Sequence, residues 1–245
     1  MRSGSGKAAP YWSLNVRIFA IDQSIRHTGL CLLDDLAEQA EPVVLESLDH
    51  GEAVGMQRAG QLMARIASVI EQHNPDVVVM EDYAVGVGGK SNNLTRLAEI
   101  GGMIKWLCHG YGYHFGYGTG HNIEERTAAW ETTRFAKQLF VVQNVKTMKA
   151  FCLADGSTSK DTAYLLKVHQ RLGKAFRDDD QADAYMHAWM AGIVINVIRG
   201  ITPIGDLPEF QQIALIRKRL KKVKGLSERK ALKLSDDEKM KLVEL

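Results

Sequence analysis

Four carboxylates, Asp22, Glu81, Asp180 and Asp183, sit where a metal ligand would be useful. Asp22 closes the apolar run Val16-Arg17-Ile18-Phe19-Ala20-Ile21, and Glu81 closes Val77-Val78-Val79-Met80. Asp180 and Asp183 open an apolar helical stretch, where a spacing of three puts both on one face. An acid at the end of a core element loses hydration, so a buried cluster of them is protonated or holds a cation. A hard divalent metal with oxygen ligands accounts for all four together. The simpler reading of Asp178-Asp179-Asp180 is a helix N-terminus, where the macrodipole favours anions. That covers one or two acids of the run, and leaves unexplained Asp183 inside the apolar stripe and Asp22 and Glu81 at strand ends.

His187 follows Asp183 by four residues and shares its helix face. Its ordinary reading is a core or surface histidine, with orientation of a ligand or water as the functional alternative. His27 reads as a hydrogen-bonding loop residue. Phe115-Gly116-Tyr117-Gly118-Thr119-Gly120 has the look of a phosphate loop, but no GK[ST] follows it, so it reads as a flexible segment.

The elements that must position these residues follow from periodicity. Val16–Ile21 and Gly29–Leu33 read as strands around a polar loop, and Val43–Leu48 as a third, which together predict an antiparallel meander. Apolar residues at helical spacing run from Ala53 to His73, and Asn74-Pro75-Asp76 ends that helix before the Glu81 strand. Ser91 or Asn92 caps the next helix, whose Gly101-Gly102 costs roughly 1 kcal/mol per glycine against alanine and so suggests close approach of another backbone. Tyr111–Gly120 reads as a strand and a loop, Asn122–Ala136 as helical, and Gln138–Val142 as the last core strand. Helices at Val145–Leu153, Thr158–Leu172 and Asp180–Arg199 follow, then a charged helical extension beyond Pro203. Strands first, then strands alternating with helices, predict an α/β or α+β sandwich around one mixed sheet.

Composition limits the rest. A chain of 245 residues, 45% apolar and 24% charged, can bury a large core without staples. Cys31, Cys108 and Cys152 are odd in number and lack CxxC spacing, which suits core residues in a reducing cytosol. No apolar run has the length of a membrane span, and residues 1–14 read as a flexible arm without a secretory h-region. A net charge of +2 is uninformative, but Arg217, Lys218, Arg219, Lys221, Lys222 and Lys224 crowd together without an acid between them.

In order, a strand ending in Asp, a strand ending in Glu and a helix with Asp-x-x-Asp resemble the ribonuclease H-like nuclease fold, and within it the RuvC-type Holliday junction resolvases. The residues carrying the resemblance are Phe19 through Gly29, Val78-Val79-Met80-Glu81-Asp82-Tyr83, Val145-Lys146-Thr147-Met148-Lys149 with Gly156 and Lys160-Asp161, and Asp180-Gln181-Ala182-Asp183-Ala184. They span about residues 15–200. The resemblance implies a mixed five-stranded sheet flanked by helices, over domain bounds of 15–200, with a C-terminal extension at 201–245. It implies Asp22, Glu81, Asp180 and Asp183 as ligands of Mg²⁺, two ions per site with Mn²⁺ as a substitute. It implies Lys149 and Lys160 as phosphate contacts, with Lys146 competing for the first role, and Tyr83 near the position of an aromatic residue that stacks on a base. Two features depart from the family: the segment 112–137 is longer than its compact connection, and the extension after Pro203 has no counterpart. Both are more like viral or otherwise divergent members than the compact bacterial enzyme.

Two cations about 3.5–4 Å apart, bridged by one carboxylate, activate water and stabilise the leaving oxygen of a phosphodiester, and Asp22 is the expected bridge. The basic stretch Arg217–Lys224, an ordinary solvated face by default, becomes a candidate for tracking DNA, with apolar neighbours that pack on the body or a second subunit. The expected activity is a structure-selective endonuclease for four-way or other branched DNA. A nearly two-fold substrate calls for a homodimer. The expected location is the cytoplasm, the host's if the chain is viral. The competing readings are another ribonuclease H-like nuclease acting on RNA, flaps or forks, an actin-like ATPase, for which no second phosphate loop is found, and a binding protein without catalysis.

Overall fold

The computed structural model describes residues 16–24, 27–34, 41–49, 55–82, 91–116, 131–132, 134–154, 163–223 and 226–243, with backbone alone at 91–94, 218 and 219. Its centre is a mixed sheet. Strands β1 (Ile18–Asp22), β2 (His27–Leu33) and β3 (Val44–Asp49) form the expected antiparallel meander. Helix α1 (Gly55–His73) crosses over to β4 (Val77–Glu81), which pairs parallel with β1. Helix α2 (Ser91–Gly110) and the two-residue β5 (His114–Phe115) precede β6 (Leu139–Gln143), which pairs parallel with both β4 and β5. The order is β3-β2-β1-β4-β6-β5. The sheet therefore has six strands where five were expected, because the short β5 adds an outer edge beside β6.

Strands β1, β2, β4 and β6 are almost wholly buried, so both faces of the sheet must be covered there. Side chains alternate: Ile18 and Ala20 of β1, Val77 and Val79 of β4, and Leu139 and Val141 of β6 enter one core. Phe19, Ile21, Val78, Met80, Phe140 and Val142 enter the other, under Leu62, Ile66, Val69 and Ile70 of α1 and Ile104 and Cys108 of α2. Cys31, Cys108 and Cys152 are free thiols in these cores, as expected. Gly102 in α2 would bring an added Cβ to nothing within 4 Å, so close backbone approach is not its reason.

The first core belongs to the C-terminal helices. These are α3 (Val145–Leu153), α4 (Tyr164–Leu172) and α5 (Asp179–Ile198). A 3₁₀ turn (Ile204–Asp206), α6 (Glu209–Leu220), α7 (Glu228–Ala231) and α8 (Asp236–Met240) follow. Asn144 caps α3, accepting from the Lys146 and Thr147 amides. α5 lies on β1 and β2 and is buried on every side from Gln181 to Ala188, which is why its sequence lacks a polar stripe. Among the described residues no helix is long and apolar enough to cross a membrane. The charged extension sends Ile213, Ala214, Leu215, Ile216 and Leu220 into this same core, with α6 against α3.

One glycine sets how closely α5 can approach. Gly29 of β2 lies opposite Asp22, and a Cβ there would sit 2.1 Å from the Asp180 carbonyl oxygen and 2.7 Å from its carbon. Backbone cannot give way as a side-chain tip can, so Gly29→Ala is expected to lower stability by about 3 kcal/mol or more in urea unfolding. Gly60→Ala, on the exposed side of α1 with nothing within 4 Å, is expected to stabilise by roughly 1 kcal/mol.

Candidate metal centre

Asp22, Glu81 and Gln143 occupy equivalent positions at the ends of β1, β4 and β6. Each continues the alternation of the strand residues that face α5, and Glu81 lies directly opposite Gln143 in the register. Three parallel strand ends thus aim a carboxylate, a carboxylate and an amide at one face of α5. Asp22 and Gln143 are buried and Glu81 is half-buried. The Gln23 amide donates to the Glu81 carbonyl at 3.3 Å, holding the loop after β1 against the end of β4.

From α5, His187 comes down onto this row. Ligand atoms of Asp22, Glu81 and His187 all lie within 4.8 Å of one another, the one such group among the described residues. His187 Nδ1 lies 3.0 Å from Gln143 Oε1, both residues being buried. An amide oxygen only accepts, so this bond puts the ring proton on Nδ1 and leaves Nε2 with the lone pair a cation needs. Two carboxylates and an oriented imidazole are a donor set that suits a divalent ion.

The other two acids stand beside this group. Asp178 is the N-cap of α5, accepting from the Gln181 amide at 2.9 Å, which separates its role from that of its neighbours. Asp180 is half-buried and accepts from Ser47 Oγ of β3 at 3.5 Å. Asp183, 2% exposed, accepts from the Tyr164 hydroxyl at Oδ1, and its Oδ2 lies 3.5 Å from Lys149 Nζ, itself 1% exposed. The Lys149 ammonium also sits 4.3 Å above the Tyr164 ring. Burial, and next the Asp183 carboxylate, push the Tyr164 phenol far above its ordinary pKa, and Asp22 adds to the same effect. Tyr164 thus stands against both members of the Lys149–Asp183 pair.

Of the remaining residues singled out in the sequence, Lys146 is exposed on α3. Arg217 Nε pairs with Glu228 Oε1 at 3.1 Å, and Lys221 is exposed on the turn after α6. Tyr83, Gly156, Lys160, the arm 1–14 and residues 117–130 of the long segment lie outside the described residues, as do the side chains of Lys218 and Arg219. The sequence reading left His187 as an ordinary histidine and passed over Gln143 and Tyr164. Gln143 had a signal: it closes an apolar run just as Asp22 and Glu81 close theirs. Tyr164 had none.

Gln143→Leu removes the acceptor that orients His187 and is expected to weaken Mn²⁺ affinity about 10–100-fold, read by titration. Lys149→Met leaves the Asp183 carboxylate buried without its cation and is expected to cost about 3–5 kcal/mol in urea unfolding. The Lys149→Met/Asp183→Asn double variant is expected to recover much of that loss, since no buried charge is then left alone.

No protein-family model and no curated protein matches this chain. Solved structures do. RuvC of Thermus thermophilus in complex with a Holliday junction substrate superposes with a TM-score of 0.53 at 18% identity, over 74% of this chain and 95% of that one. Thermus RuvC in a second structure gives 0.49 at 16% identity, over 76% and 97%. The yeast mitochondrial Holliday junction resolvase Ydc2 gives 0.43 at 14% identity, over 76% and 83%. The Thermus complex, together with the mixed sheet flanked by helices, assigns this chain the ribonuclease H-like α/β fold in its RuvC-like form.

Proposed function

We propose that this chain is a divalent-metal-dependent endonuclease that resolves four-way junctions or other branched DNA. The observation carrying this reading is the convergence of Asp22, Glu81 and His187 at the strand ends of a RuvC-like fold. The Thermus RuvC structure of like fold is a complex with a Holliday junction, which makes branched DNA the first substrate to try.

The acids and His187 would hold Mg²⁺, with Mn²⁺ as a substitute. A bound ion supplies Lewis acidity and an activated water for phosphodiester hydrolysis. The chain's own residues do the rest. Gln143 fixes the His187 ring, Lys149 and Tyr164 fix Asp183, and Gly29 lets α5 bring both down onto the sheet. Exposed Lys146, one turn before Lys149 on α3, is the α3 lysine suited to touch phosphate, while buried Lys149 acts within the site. Lys160 and Tyr83 keep the roles of phosphate contact and base stacking, and Arg217, Lys218, Arg219 and Lys221 that of tracking the DNA backbone. Paired cuts in a nearly symmetric junction call for two such sites, hence a homodimer.

The test is incubation of a synthetic four-way junction, a fork, a linear duplex and an RNA duplex with Mg²⁺. Preferential cutting of the junction is the expected result. Asp22→Asn is expected to lower cleavage at least about 100-fold, the scale of removing one preorganised electrostatic group, with the circular dichroism spectrum unchanged. Equal cutting of the linear duplex would favour a nuclease without branch selectivity. Full cleavage by Asp22→Asn would remove the proposed site.

A further inference from the structure

We propose that the chain binds a small carboxylate in a cavity between α4, α5 and α6, its head group held by Arg171, the Gln211 amide and the first turn of α6. This site goes beyond the nuclease reading and uses none of the residues of the metal centre. His187 turns toward Gln143 at the strand ends. Tyr185 and Trp189, two residues to either side of it on α5, project from roughly the opposite side of the helix and line the cavity.

The first argument is the space itself. The cavity measures about 110 Å³, and Leu172, Tyr185, Trp189 and Phe210 give it aliphatic and aromatic walls. The Cys152 thiol also borders it, but Sγ already donates to the Met186 carbonyl at 3.7 Å. An apolar cavity of about 150 Å³ takes benzene, so this one has the size for a molecule of about five heavy atoms. Phe210 and Gln211 come from the extension beyond Pro203, so the site exists only where that extension packs on the sheet domain.

The second argument is that three kinds of donor meet there unspent. Arg171 stands in the last turn of α4, its guanidinium carbon 4.4 Å over the Phe210 ring, and among the described residues no acid pairs with it. Gln211 is 4% exposed and lines the cavity, yet its side-chain amide forms no hydrogen bond within the protein. Its neighbour Gln212, by contrast, spends Nε2 on the Gly205 and Leu207 carbonyls. Pro208 precedes α6 with no side-chain acceptor, and its carbonyl takes only the Gln211 and Gln212 amides. The amides of Glu209 and Phe210 are left to a ligand, at the helix end that favours negative charge. Glu209 is itself exposed, and among the described residues no acid lines the cavity.

The third is the match of ligand class to these walls. The planar fork of an arginine pairs with a carboxylate or a phosphate. A phosphate dianion would meet a single cation and otherwise aromatic and aliphatic surface, which costs it hydration without return. A carboxylate on a short hydrocarbon body divides correctly: the head lies with Arg171, Gln211 and the α6 amides, and the body lies against Leu172 and Trp189.

The experiment adds formate, acetate, propionate and inorganic phosphate in turn to the full chain, against sodium chloride at matched ionic strength. Heteronuclear NMR follows the Gln211 side-chain amide and the Trp189 indole. Saturable shifts are expected, with affinity rising about fourfold per methylene from formate to propionate. Arg171→Met is expected to weaken propionate roughly tenfold or more, and Gln211→Leu, read at the indole, about 2–10-fold. Shifts that never saturate would leave a cavity holding water only and overturn the proposal. Phosphate binding as tightly as propionate, or equal affinity along the series, would overturn the carboxylate class. Should Arg171→Met fail to fold, the series on the unaltered protein still decides. No divalent metal is added, so the outcome is independent of the metal centre.

Discussion

Carboxylates taken almost completely out of water govern this molecule. Asp22 and Asp183 are 4% and 2% exposed, beside a core of aliphatic and aromatic side chains. An isolated ionised carboxylate in such surroundings is expensive, so each must face positive charge or a strong donor. Asp183 finds both within the protein, in the Lys149 ammonium and the Tyr164 hydroxyl. Asp22 stands with Glu81 and the His187 ring in a group whose donors suit a cation.

Geometry reaches these groups through the sheet. In parallel strands of matched register, residues of like parity at the strand ends stand side by side, and Asp22, Glu81 and Gln143 are such a set. The apolar runs Ile18–Ile21, Val77–Met80 and Leu139–Val142 therefore deliver polar side chains to one level simply by ending. Helix α5 must then come close, and a strand residue with any side chain opposite Asp22 would hold it off. Gly29 is the clearance that lets His187 and Asp183 descend.

Much of this was readable in advance. The meander, the mixed sheet, the helices read at 145–153 and 180–199 and the acids at strand ends all follow from periodicity and from polar residues closing apolar runs. Gln143 obeyed the same rule as Asp22 and Glu81 and was passed over because an amide draws less notice than an acid. The partners of Asp183 were out of reach for a different reason. Lys149 and Tyr164 are brought to it by the way α3 and α4 pack on α5, and packing angles are not encoded in spacing. The resemblance implies Lys149 as a phosphate contact, and nothing local in sequence says that it will lie buried across the Tyr164 ring. The two-residue β5 falls within Tyr111–Gly120, which the sequence reads as a strand and a loop, and it pairs beside β6.

Helix α5 has no polar stripe, and α3, which carries Lys149, is covered on its outer side by α6. This has a consequence for synthesis on the ribosome. The strands and α1 emerge first and can pair as they appear, but Lys149 is enclosed on both sides only after the chain has grown past Leu220. Until then the sheet carries its acids at open strand ends with no finished scaffold above them. The order of translation thus withholds the finished geometry of the site from the nascent polypeptide.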